Sequence, residues 1–197
     1  LCLARQVHGA VVARATAETA PDEQPEADAI ITGVAGAAVG VFTADCVPLL
    51  IADPASGAVA AVHAGWRGVI AGVAPAAVAA LAADFGSEPA EMRLALGPAI
   101  GVCCFEVGDE VAAIFSQTFL SAGDLIRQGG RGRPHVDLRR ALFLQLKAAG
   151  VRAEHLDLGG DCTMCDPKRF YSYRRDNTQT GQHLSLIVAR PPRDRIR

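Results

Sequence analysis

No apolar run in this sequence reaches the roughly 18 residues that a membrane span needs. The most hydrophobic stretch, Val34 to Ala52, is interrupted by Asp45 and Pro48. A charged segment followed by an apolar one is also missing, so no signal peptide is visible. The chain opens on Leu1 and not on Met; upstream residues, with any targeting segment they carried, are expected to be missing. Nor is there a clustered basic face. Lys and Arg number 19 against 21 Asp and Glu, a formal net charge of -2, which argues against a nucleic-acid partner. The one basic cluster is the tail Arg190-Pro-Pro-Arg193-Asp-Arg195-Ile-Arg197, read as a solvated terminus. A secreted disulfide framework is absent as well. Six cysteines are present, but Cys103 and Cys104 are adjacent, and an apolar chain this long folds without disulfides. A reducing compartment, the cytoplasm, is the expectation.

What the chain does have is apolar bulk. Half of its 197 residues are hydrophobic, enough for a sizeable core, and much of that content is alanine, which favours thin, closely packed helices. Val39 to Phe42 and Val47 to Ala52 have strand character. Asp53-Pro-Ala-Ser-Gly57 reads as a turn, and Ala58 to His63 as the returning strand of a hairpin. Val69 to Phe85 reads as a helix that starts near Pro75 or kinks there. Met92 to Leu96 is a short strand, and Glu106 to Phe119 has helical spacing. Asp137 can cap a helix closed by Gly150. Leu156 to Leu158 and Leu184 to Ala189 are final strands. Residues 14 to 28, Ser121 to Pro134 and Thr163 to Gly181 read as loops. Neither an internal repeat nor a linker divides residues 1–197. The mixed order of elements predicts an α+β (mixed α/β) fold: a single compact domain with mixed β-sheets flanked by helices.

Three metal-capable residues stand out. His8 lies in Gln6-Val7-His8-Gly9, Cys46 between two strands, and His63 at a strand end before Gly65. Cys46 and His63 fall on neighbouring strands of the hairpin region, whereas His8 can join them only through tertiary folding. Zinc accepts thiolate and imidazole, and three protein ligands leave a fourth position open, the usual plan of a catalytic site. The same residues also permit a metal-free reading, with Cys46 as nucleophile and His63 as base. Cys162-Thr-Met-Cys165 is read as structural, Cys103 and Cys104 as packing residues, and His135, His155 and His183 as surface or edge histidines. Gly65 and Gly68 allow close backbone approach beside a helix start that favours anions. Arg67 there offers a fork of donors for phosphate, or else simply covers the core with Trp66. Arg174 and Arg175 are a second candidate anion contact.

The blocks Gln6-Val-His-Gly9, Thr43-Ala-Asp-Cys-Val-Pro-Leu-Leu50 and Ala61-Val-His-Ala-Gly-Trp-Arg-Gly68 resemble the laccase-domain (YfiH-like) family, often labelled multicopper polyphenol oxidases. So do Leu96-Gly-Pro-Ala-Ile-Gly101, Cys104-Phe-Glu-Val-Gly108 and Phe170-Tyr-Ser-Tyr-Arg-Arg-Asp176. The resemblance implies a zinc site of His8, Cys46 and His63. It implies phosphorolysis of adenosine, inosine, guanosine and methylthioadenosine, and deamination of adenosine. Purine nucleosides and phosphate are then the partners, in a monomer or homodimer. It also implies a distant fold relation to Cys-His deamidase toxins. Family members usually carry a further N-terminal segment before Gln6, which this chain lacks.

Phosphorolysis needs an anion site, for which Arg67 and the glycine-rich helix entry are the candidates. Deamination needs a proton shuttle at C6 of adenine, a carboxylate in other zinc deaminases. Asp45 is the nearest in sequence, and it could instead hold a ligand histidine. Two further rivals stand. A copper-dependent phenol oxidase needs several coppers and more than five histidines, so copper is the less favoured metal. A zinc-stabilised binding module would close its site with a fourth protein ligand, such as Cys103 or Cys104.

Overall fold

The computed structural model describes residues 1–20, 24–120, 123–130 and 132–191. The basic tail beyond Pro191, and small parts of the loops expected at 14–28 and 121–134, lie outside the described residues. Ten strands and five α-helices are described: β1 Val12–Arg14, β2 Ala29–Thr32, β3 Ala38–Thr43, β4 Val47–Ala52, β5 Val59–Ala64, α1 Trp66–Ala71, α2 Val73–Phe85, β6 Arg93–Leu96, α3 Asp109–Thr118, β7 Ile126–Gln128, β8 Pro134–Val136, α4 Leu138–Ala148, β9 Leu156–Asp157, α5 Tyr173–Asp176 and β10 His183–Val188. The fold is the expected mixed α/β one.

A six-stranded sheet in the order β1-β2-β5-β4-β6-β9 forms the body. It is mixed: β1–β2 and β6–β9 run parallel, and the other pairs antiparallel. The β4–β5 hairpin forms as read, with Pro48 opposite His63. Strand β5 is buried along its whole length, because both faces are covered. Side chains alternate along a strand, so Ala60, Val62 and Ala64 join the helix-side core with Leu49, Leu81 and Leu142. Val59 and Ala61 face the other way, onto Val39 and Val41 of the β3–β10 ribbon. The same alternation sends His63 to that ribbon side. The large apolar fraction is spent on two cores, one on each side of one sheet.

Several local readings sharpen. The helix after His63 is two helices. Gly72, at φ 82°, ends α1 and starts α2, so Pro75 falls in the first turn of α2, where its missing N–H costs nothing. Helix α3 starts three residues later than its apolar spacing implied, because Glu106 bridges His135 and the Val107 N–H bonds Pro134 O at 2.9 Å. Asp137 caps α4 as expected, accepting from the Arg140 N–H at 3.0 Å. The loop expected at 121–134 holds strand β7, paired with β8; its Gly-rich turn hid the alternation. Strands β1 and β2 were missed, β1 because it has only three residues. Among the described residues no helix is long and apolar enough to cross a membrane.

Candidate active site

The chain brings His8, Cys46 and His63 together: their ligand-capable atoms lie within 4.8 Å of one another. Tetrahedral zinc with nitrogen and sulfur ligands spaces its donors by about 3.3–3.8 Å, so a small contraction around the ion suffices. His63 arrives on β5, Cys46 on the bend that leads into β4, and His8 on the N-terminal segment. That segment is fastened by a parallel bridge from Cys2 to Val39 and another from Arg5 to Glu26. The two imidazoles meet edge to face, with centroids 4.8 Å apart.

The residue that organises the trio is Asp28, which sequence reasoning missed. It is fully buried. Its Oδ1 accepts from His63 Nδ1 at 2.7 Å and from the His8 N–H at 2.9 Å. Its Oδ2 accepts from the N–H groups of Gly9 at 2.6 Å and Val7 at 3.2 Å. A carboxylate facing Nδ1 fixes the proton there and leaves Nε2 of His63 with a free lone pair, the arrangement found behind metal-bound histidines. The same carboxylate holds His8 at φ 61°, a left-handed conformation that costs of order 1–3 kcal/mol in a residue other than glycine. The only signal in sequence was an aspartate in a loop just before an apolar run, and nothing linked it to residue 8 or 63.

Gly65 makes the close approach possible. A Cβ there would lie 2.9 Å from His8 Cδ2 and 3.1 Å from Cys46 Sγ. Gly68, where a Cβ would sit 3.0 Å from Gly9 O, lets the His8 loop pack on α1. Two imidazoles and one thiol in this cradle suit one borderline-soft ion such as zinc.

Electrostatically the trio is set for a cation. Burial, then the charges of Asp45 and Asp28, push the Cys46 thiol up to about 12. Burial also lowers the pKa of His63, a shift that its hydrogen bond to Asp28 opposes, so the ring stays neutral. Among the described residues no hydrogen bond joins Cys46 Sγ to His63.

Asp45, expected as a proton shuttle or histidine partner, is bonded elsewhere. It sits at φ 88° and is nearly buried. Its carboxylate accepts from Thr163 Oγ1 at 2.5 Å, Ser172 Oγ at 3.0 Å and the Arg174 N–H at 2.6 Å. Those donors come from the irregular 163–181 segment, so Asp45 ties that segment to the trio. The histidine-orienting part falls to Asp28.

The trio opens into a cavity of about 700 Å³, within the usual range for small-molecule sites. Phe42, Phe105 and Tyr173 supply aromatic walls, and Gln182 and Arg174 polar ones. Arg174 lies over the Phe105 ring at 5.4 Å and donates to Glu106 O at 2.8 Å. Arg67 does not line the cavity. It is exposed and stacks on Trp66 at 4.4 Å, the bland alternative of the sequence reading. Arg175 is bound to Asp176 and to the carbonyls of Thr163 and Phe170, so it braces the loop.

His183 and His135 are held in bonds to the backbone. His183 bonds Thr43 O at 3.1 Å through Nδ1 and accepts the Tyr171 N–H through Nε2 at 3.1 Å. His135 Nδ1 donates to Val102 O at 2.8 Å. Cys104, half-buried, packs against the helix-side core as read, whereas Cys103 is exposed; both gather with Cys162 and Cys165 into a second cluster. No fourth protein ligand joins the trio among the described residues.

Residues 1–190 match the family described as multi-copper polyphenol oxidoreductase laccase. A protein named adenosine deaminase RL5, from an unknown prokaryotic organism, is 38% identical over 171 residues, 84% of this chain and 65% of that one. A purine nucleoside phosphorylase of Streptomyces coelicolor is 42% identical over 184 residues, covering 92% of this chain and 72% of its own length. The crystal structure of YlmD from Geobacillus stearothermophilus superposes with a TM-score of 0.88 at 36% identity, covering 96% of this chain and 73% of that one. This chain therefore spans about two thirds to three quarters of these three relatives.

Proposed function

The chain belongs to the multi-copper polyphenol oxidoreductase laccase family, and from that premise we propose that it is a zinc-dependent purine-nucleoside enzyme. Its activities on this reading are phosphorolysis of adenosine, inosine, guanosine and methylthioadenosine to base and ribose-1-phosphate, and deamination of adenosine. The relatives named purine nucleoside phosphorylase and adenosine deaminase support it. The observation that carries it is the His8–Cys46–His63 cradle opening into an aromatic-walled cavity with Arg174 on its rim.

His8, Cys46 and His63 would hold the zinc. Bound there, zinc supplies Lewis acidity and activates water near neutral pH. The protein's own part is placement. Asp28 fixes the His63 tautomer and the His8 backbone. Phe42, Phe105 and Tyr173 offer apolar faces on which a purine can lie. Arg174, whose guanidinium donates to Glu106 O and lies over Phe105, is read as the phosphate contact. Asp45, with three donors on its carboxylate, is read as a positioning residue that holds Arg174 at the rim, not as the proton shuttle.

The metal-free Cys46–His63 hydrolase reading is disfavoured by electrostatics. An active cysteine needs a lowered pKa and a cationic partner, whereas burial and two carboxylates raise this one. The polyphenol oxidase reading is disfavoured by the donor set. His135, His155 and His183 do not line the cavity, which leaves one His/Cys metal position facing it among the described residues.

The test is incubation of the purified protein with adenosine, with and without phosphate, with products separated by chromatography and Cys46→Ala run in parallel. Adenine and ribose-1-phosphate only with phosphate, and inosine in either case, both lost in Cys46→Ala, support the reading. No product from zinc-loaded protein overturns it.

A further inference from the structure

Cys103, Cys104, Cys162 and Cys165 bring four sulfur atoms within 4.8 Å of one another on the wall of the domain. All are free thiols. Cys165 Sγ lies 3.6 Å from Cys103 Sγ and 3.4 Å from Cys104 Sγ, close to the spacing of about 3.8 Å that four thiolates take around tetrahedral zinc. Cys165 is almost equally near to both vicinal cysteines, so neither disulfide pairing is preferred. Four converging thiols suit one shared ion better than one bond.

The backbone is built for convergence. The N–H groups of Cys104 and Phe105 both donate to Gly101 O at 2.9 Å, curling the chain so that adjacent cysteines aim at one point. The Gly101 N–H donates to Cys162 Sγ at 3.2 Å, the kind of contact that stabilises a thiolate. A Cβ on Gly101 would sit 3.1 Å from Cys103 Sγ and 3.3 Å from Cys162 Cβ. A tetrathiolate zinc carries two net negative charges. Arg139 lies within Coulombic range of Cys162 and Cys103. Its guanidinium donates to Asp161 O at 2.7 Å and Ala99 O at 3.4 Å, while its buried Nε has no partner among the described residues.

We propose that these four cysteines form a second, closed metal site, a structural zinc held by Cys103, Cys104, Cys162 and Cys165. Soft thiolates in a tetrahedral set select zinc over harder cations, and four protein ligands leave no position for a substrate. The site clips the 97–106 loop to the 161–166 loop, which otherwise meet through the Ala99–Cys162 bridge. Thr163 stands between two of the ligands, and its hydroxyl bonds Asp45. The clip therefore braces the cavity wall without touching the reactants. The proposal is independent of the purine reading.

The test is metal content, by elemental mass spectrometry, of full-length protein purified in reductant without added metal. Wild type should hold two zinc ions per chain. Cys46→Ala should keep one. Cys162→Ser/Cys165→Ser should also keep one, the ion of the other site. Because that double variant could fail to fold, cobalt loading of Cys46→Ala serves as the second readout: it should give the intense visible and near-ultraviolet bands of a four-thiolate tetrahedral centre. One zinc per wild-type chain and none in Cys46→Ala, iron or copper in place of zinc at the four cysteines, or cobalt-loaded Cys46→Ala without thiolate bands would each overturn it.

Discussion

Asp28 and His63 share a 2.7 Å contact between Oδ1 and Nδ1, and the same carboxylate accepts three backbone N–H groups around His8. One buried side chain thus sets two ligands from segments far apart in sequence. Asp28→Asn cannot accept all four bonds and presents an N–H₂ to some donors. Metal affinity should fall roughly 10- to 100-fold, as for other losses behind a ligand histidine, and stability by about 1–3 kcal/mol. Chelator competition and thermal melting check both; an unchanged affinity would remove Asp28 from the site.

Gly65→Ala should cost metal more than fold. Its φ of −71° suits any residue, so the penalty is the clash with His8 and Cys46. Zinc content at the trio should drop while far-UV circular dichroism holds. Gly130→Ala, which meets open space, should leave both unchanged. Equal zinc in the two variants would contradict the cradle.

Arg174 and Arg67, both read from sequence as anion contacts, separate by mutation. Arg174→Ala should raise the KM for phosphate by about tenfold or more, from the loss of a charge-assisted bond worth about 1.5–3 kcal/mol. Arg67→Ala should stay within about twofold, since exposed surface changes seldom exceed 0.5 kcal/mol. The reverse order would return the anion site to the helix entry.

The pH dependence of the metal-free protein has two edges. His63 has a folded pKa below 6.5 because burial disfavours its charged form. The unfolded chain therefore binds its proton more readily, and this contribution is present above pH 6.5 and lost as pH falls below it. The Cys46 thiol is raised from 9.0 to about 12, so its contribution is present below pH 9 and lost as pH rises towards 12. Urea midpoints from pH 5 to 8 should rise with pH, and less so in His63→Gln. Zinc uptake by the trio at pH 7.5 should release about one proton from Cys46, measurable by calorimetry in buffers of different ionisation heat.

Much of this was legible because strand and turn signals are local. The β4–β5 hairpin, the Asp137 cap and the nearness of Cys46 to His63 follow from residues close in sequence, whereas the joining of His8 to them came only from the family resemblance. Asp28 and the four-cysteine cluster were not legible. Each depends on pairing between segments that no spacing rule connects: Asp28 with residues 7–9 and 63, and Cys103–Cys104 with Cys162 and Cys165. The partners of Asp45 were hidden for the same reason. Adjacency to Cys46 said nothing of the bonds its carboxylate makes to Thr163, Ser172 and the Arg174 N–H.

The order of the chain carries one more consequence. His8 precedes β1, and Asp28, Cys46 and His63 follow it in chain order, on or beside β2, β4 and β5, where β5 pairs with both of the others. Tyr173, Arg174 and Gln182, which form the facing wall, emerge after all four, and β10 must cross back to β3 before that wall is complete. On the ribosome, the nascent ligand set is therefore exposed before its cover exists. An ion held by the trio, as proposed, would not have to thread a finished cavity.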